Sequence, residues 1–212
     1  MIKDTVKALI QNLKGINQLS PVYIVFLLNF WMLTNAPALV GEGSTEVRWM
    51  IMMYMSMLIG GIALAPTKPS LVNGDITQVF NFFWIFFASS VMFALSAALP
   101  GLGEILSFQT FSITGGIGGI LLQAFTVAFS EEFFFRGVLE EVTGSKLIAN
   151  GLFGPWHWAT YGGSWTRILI ASVMGMFFSA IKDKFTLLGS MGAHTAWNLK
   201  AMGELSKFVG LS

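Results

Sequence analysis

Seven stretches of this chain read as bilayer spans, at roughly residues 22–39, 48–65, 78–99, 114–139, 147–161, 165–181 and 185–201. A spanning helix needs about 20 mostly apolar residues. Hydrocarbon admits only backbones that satisfy their own hydrogen bonds. This feature predicts an all-α fold, a polytopic membrane helical bundle of about seven spans. Composition points the same way, with 54% apolar and 11% charged residues. So few charges do not cover the surface of a soluble globule, and so much apolar material excludes disorder. A net charge of +1 leaves no basic stripe, so no nucleic-acid partner is expected. Cysteine is absent, which removes disulfides, thiol catalysis and Cys-zinc sites together. His157 and His194 are the two histidines of the chain, so a three-His zinc site is excluded.

The expected partner is therefore the lipid bilayer, and the expected unit is one membrane domain over residues 1–212. Within residues 1–20, apolar side chains recur at Ile2, Val6, Leu9, Leu13, Ile16 and Leu19, with Lys3, Lys7 and Lys14 between them. That period predicts an amphipathic helix lying in the interface. It lacks the continuous apolar core and small-residue cleavage site of a signal peptide. Basic residues favour a cytoplasmic N-terminus, because Lys3, Lys7, Lys14, Lys68, Lys146, Lys182 and Lys184 then fall on the inner side. The expected location is the cell membrane, as a multi-pass protein. The fifth span is short and carries Asn150, Gly151, Gly154, Pro155 and His157, so it belongs inside the bundle. Gly115, Gly116, Gly118 and Gly119 suit close helix crossing, and the Met-rich run at 49–57 reads as packing or lipid contact.

Ionisable groups within apolar spans carry the functional signal. Span four contains Ser130, Glu131, Glu132 and, three phenylalanines later, Arg136. Glu132 and Arg136 stand four apart, as do Arg136 and Glu140, which suits ion pairs on one helix face. Glu131 points about 100° away and must face another neighbour. Phe153 precedes His157 by four residues, and His194 precedes Asn198 by four. A carboxylate with an imidazole can hold and deprotonate water. A second His with an Asn can donate to a developing oxyanion. Glu131, His157 and His194 are equally the inventory for one zinc ion with water at an open position. No cofactor is required by the first scheme; zinc is required by the second.

Other protease signatures are missing or weak. There is no His-Glu-x-x-His and no Gly-x-Gly-Asp within a span. Ser190 lies four residues before His194, but a dyad on one helical turn is a weak signal, and Ser190 reads as a small packing residue.

Taken together, Glu131-Glu132-x-x-x-Arg136, Phe153-x-x-x-His157 and His194-x-x-x-Asn198 resemble the CPBP family, with Gly137 and Trp158 flanking the motifs. That family holds CAAX prenyl endopeptidases and bacteriocin-processing or immunity proteins, also called Abi. The resemblance covers roughly 114–201, a CPBP-like catalytic core. It implies an intramembrane endopeptidase, of glutamate or metal type, acting on a membrane-associated protein or peptide. On this resemblance Glu131 and His157 would activate water, His194 and Asn198 would form the oxyanion site, and Glu132, Arg136 and Phe153 would support them. The alternative is a non-catalytic membrane scaffold or bacteriocin self-immunity protein, in which the same residues only stabilise the bundle.

Overall fold

A computed structural model describes residues 76–96, 116–158, 160–203 and 205, with side chains described for all of these except 116–123. The expected interfacial helix and the spans at 22–39 and 48–65 lie outside the described residues. All regular structure among the described residues is helical. Helix α1 is Ile76–Ser96, and α2 is Gly116–Glu132. A π-helical stretch, Phe133–Leu139, follows α2 without a break and passes into the short α3, Glu140–Thr143. After Gly144, in the left-handed region at φ 64°, Ser145 caps the next helix by accepting from the Ile148 N–H. That helix, α4, is Lys146–Trp156, and α5 is Trp165–Ala201.

Helix α5 is broken at Phe185 and Thr186. Thr186 has φ 69°, which a β-branched residue rarely adopts. The limbs on either side fold back on each other. The rings of Phe178 and His194 stack with centroids 4.6 Å apart. Along a straight helix sixteen residues would separate them by roughly 24 Å. The sixth and seventh sequence spans are thus two arms of a hairpin, divided where the charged stretch 182–184 suggested. The fifth ends sooner than expected. Pro155 sits in its last turn and the helix stops at Trp156, leaving His157 at its C-terminal cap.

Helix α1 packs along α5. Its buried stripe is Phe82, Ile85, Ser89, Phe93 and Ser96, spaced three and four apart as one helix face requires. The opposite face exposes Phe80, Phe83, Trp84 and Phe87, each more than half open. A helix apolar on both faces belongs in lipid. Among the described residues α1 is the one helix long and apolar enough to cross a membrane, so the count of seven spans stays a proposal. Gly192 lies against the main chain of Phe82 and Phe86, where a Cβ would collide with backbone. Small residues at such crossings let helices approach closely, and dispersion rather than escape from water then holds them together. Aromatic rings fill the remaining space. Phe153 packs edge-on to Phe135, His157 and His194, so one α4 side chain joins its own helix cap to two other elements.

Candidate active site

The end of α2 carries two fully buried carboxylates, Glu131 and Glu132, with Arg136 one turn further, also fully buried. Charges at such depth persist only when paired and hydrogen-bonded. Arg136 Nη1 lies 3.0 Å from Glu132 Oε1, as the four-residue spacing predicted. His194 Nδ1 approaches the same oxygen at 2.7 Å. Ser190 Oγ donates to Glu132 Oε2 and lies 3.0 Å from the Phe178 carbonyl. Ser190 is therefore more than packing: its hydroxyl serves Glu132 rather than His194, and no Ser–His dyad forms. Arg136 also stacks over Phe153, its Cζ 4.1 Å from the ring centroid.

Glu131 turns to other neighbours. Its Oε1 accepts from Trp156 Nε1 at 3.2 Å. Its Oε2 stands 3.6 Å from His157 Nε2 and 3.5 Å from His194 Nε2. Both imidazoles are oriented from behind. His157 Nδ1 lies 2.8 Å from the Phe153 carbonyl, which can only accept, so Nδ1 carries the proton. His194 Nδ1 faces the Glu132 carboxylate, and the same reasoning applies. In the neutral rings both Nε2 atoms then present lone pairs. Three acceptor atoms from three elements face one another just beyond hydrogen-bond length. Such a set can accept hydrogen bonds from a water placed among its members.

The structure thus brings Glu131, His157 and His194 together, with Glu132, Arg136 and Phe153 directly behind them. Asn198 is close by but differently engaged, its Nδ2 donating to the Ala124 carbonyl at 3.2 Å. A cavity of about 30 Å³ lies beside these groups, lined by Phe153, His157, Tyr161, His194, Trp197 and Asn198. It has room for at least one water. Tyr161 stacks on His157 at 5.1 Å and 13°. Among the described residues no three His, Cys, Asp or Glu side chains form a set able to hold a metal ion.

Glu140 departs from the expected pairing. The π-helical stretch closes with the Glu140 N–H on the Phe135 carbonyl, five residues back. The Glu140 carboxylate instead accepts from Ser179 Oγ at 2.7 Å and Lys182 Nζ at 3.1 Å. Lys182 also donates to the Arg136 carbonyl at 2.9 Å and to Glu141 at 2.7 Å. Trp156, Ser190, Asn150, Ser179 and Lys182 all escaped the sequence reading as site residues. Trp156 had one signal, since a buried indole N–H needs an acceptor.

The described residues thus form a helical bundle with paired carboxylates and two imidazoles at its core. Residues 112–200 match the family model described as Type II CAAX prenyl endopeptidase Rce1-like. The matched segment is somewhat under half of the chain, and the match supports a membrane protease of the CPBP type, a family of endopeptidases. No curated protein and no solved structure matches the chain.

Proposed function

We propose that this protein is an intramembrane endopeptidase that cleaves a membrane-associated protein or peptide, of CAAX or bacteriocin type, using water activated by Glu131 and His157. The observation that carries the reading is the convergence of His157 Nε2 and His194 Nε2 on one oxygen of Glu131, at 3.6 and 3.5 Å. Water bound there gives a proton to this set as its oxygen attacks the scissile carbonyl carbon. Its hydroxyl joins the carbonyl, the C–N bond breaks, and the proton passes to the leaving amine. Water exclusion by the aromatic shell strengthens each electrostatic contact during that step.

His194 and Asn198 face the developing oxyanion. His194 donates from Nε2 when both ring nitrogens are protonated, and Glu132 then balances its charge at Nδ1. Asn198 Nδ2 has a second N–H beyond the one given to Ala124. Arg136 and Phe153 hold Glu132 and the imidazoles in place. The multi-pass topology, with the N-terminus in the cytoplasm, belongs to the same proposal.

The test uses the purified chain in proteoliposomes with a farnesylated CAAX peptide, its unprenylated form as control. Cleavage by the parent and its loss in Glu131→Gln support the reading. A Glu131→Gln variant that cleaves at the parental rate sinks it and leaves the scaffold reading.

A further inference from the structure

Behind the candidate site runs a second polar array that the proposed chemistry does not use. Asn150, on α4, is 1% exposed. It accepts from Arg136 Nη2 through Oδ1 at 3.0 Å. Its Nδ2 donates to Ser179 Oγ at 2.8 Å and to the Lys146 carbonyl at 2.8 Å. Ser179 in turn donates its one proton to Glu140 Oε2.

These bonds have a direction. The Glu140 carboxylate only accepts, so it takes the Ser179 proton. Ser179 Oγ must then receive an N–H, which the amide supplies from Nδ2. The Lys146 carbonyl demands the same orientation. Oδ1 is thereby turned to the guanidinium, whereas a flipped amide would set N–H against N–H and leave two acceptors facing each other. The fold also keeps the space this bond occupies. A Cβ at Gly175 would lie 2.7 Å from both Arg136 Nη2 and Asn150 Oδ1.

We infer that Asn150, oriented by Ser179 and Glu140, is a positioning residue for the hydrolysis proposed above: it fixes Arg136, and through Arg136 the Glu132 carboxylate that holds His194 Nδ1. The inference rests on that reading for its consequence in catalysis, but its structural content is separately measurable. With two histidines in the chain, ¹⁵N-histidine labelling gives two imidazole spin systems, and His157→Gln assigns them. The ring shifts report which nitrogen carries the proton.

The experiment compares the parent with Asn150→Ala, Asn150→Asp and Ser179→Ala. Asn150→Ala should mix the His194 tautomers and lower kcat on the farnesylated peptide roughly tenfold, with KM within about twofold. Asn150→Asp keeps an acceptor for Arg136 but sets its second oxygen against the Lys146 carbonyl, so it should restore the parental His194 spectrum only in part. Ser179→Ala should shift that spectrum in the same direction as Asn150→Ala, by less. A folded Asn150→Ala with parental His194 shifts and parental kcat overturns the inference. If Asn150→Ala does not fold, parental shifts in Ser179→Ala overturn it. The spectrum is read without substrate, so failure of the array and failure of the protease reading give different results.

Discussion

The indole Nε1 of Trp156 donates to Oε1 of Glu131 across 3.2 Å, so the residue preceding His157 holds one oxygen of the carboxylate whose other oxygen His157 faces. The end of α4 therefore brings both an indole N–H and an imidazole to a single side chain. Trp156→Phe keeps most of the ring volume and removes the donor. A hydrogen bond to a charged group contributes roughly 1.5–3 kcal/mol. The expected outcome is a fall in kcat of about tenfold to a hundredfold, with the detergent-solution melting temperature changed by only a few degrees. Paired cleavage and melting curves check it, and an unchanged kcat would remove Trp156 from the site.

The adjacent glutamates should separate cleanly. Glu132 receives Arg136, His194 and Ser190, so Glu132→Gln leaves a buried guanidinium short of its counter-charge. Breaking such a pair typically costs roughly 3–5 kcal/mol. Glu132→Gln should lose yield and thermal stability, and activity should fall largely with folded protein. Glu131→Gln should fold at least as well as the parent and lose hydrolysis by orders of magnitude. Reversed phenotypes would reverse the assignment.

Gly175→Ala tests the space around Arg136. The added methyl meets polar atoms of two residues that are both fixed by other bonds, and overpacking of this kind costs about 1–3 kcal/mol. Melting should fall accordingly, and cleavage should fall further than the loss of folded protein explains. A variant with parental melting and rate would show that the Arg136–Asn150 contact yields at no cost.

The proposed activation of water by Glu131 and His157 uses no metal. Chelators should leave cleavage of the farnesylated peptide intact, and elemental analysis of active protein should find no stoichiometric zinc. Activity lost on chelation and restored by zinc alone would reassign Glu131, His157 and His194 as ligands.

Topology can be read chemically, because the chain has no native cysteine. Lys146 contacts Asp183, and Lys182 contacts Glu140 and Glu141, so the charged end of the bundle gathers at the hairpin turn of α5. Single cysteines at 146 and 184 should react with a membrane-impermeant reagent from the cytoplasmic side. A reporter fused after Ser20 should be cytoplasmic too. Labelling of 146 and 184 from outside alone would invert the orientation.

What was legible beforehand follows helical spacing. The Glu132–Arg136 pair and the separate facing of Glu131 come directly from four-residue and one-residue offsets. The meeting of Glu131 with His157 and His194 was reachable from the scarcity of buried ionisable groups, since few partners were on offer. Glu140 was misplaced because its partners, Ser179 and Lys182, lie 39 and 42 residues further along the chain, where no local spacing points. Ser190 and Ser179 were unreadable for a different reason. A serine in an apolar helix looks the same whether its hydroxyl serves its own backbone or a glutamate on another helix.

The break at Phe185 and Thr186 gives the arm carrying His194 its phase. Beyond that break, each residue added or removed turns the rest of the arm by about 100° and slides it by about 1.5 Å. A single residue inserted between Thr186 and Ser190 would swing His194 away from both carboxylates, pull Ser190 off Glu132 and bring the wrong side of the helix to α1, where only Gly192 fits against Phe82 and Phe86. Length in this short stretch is thus fixed as firmly as the identities of Ser190, Gly192 and His194.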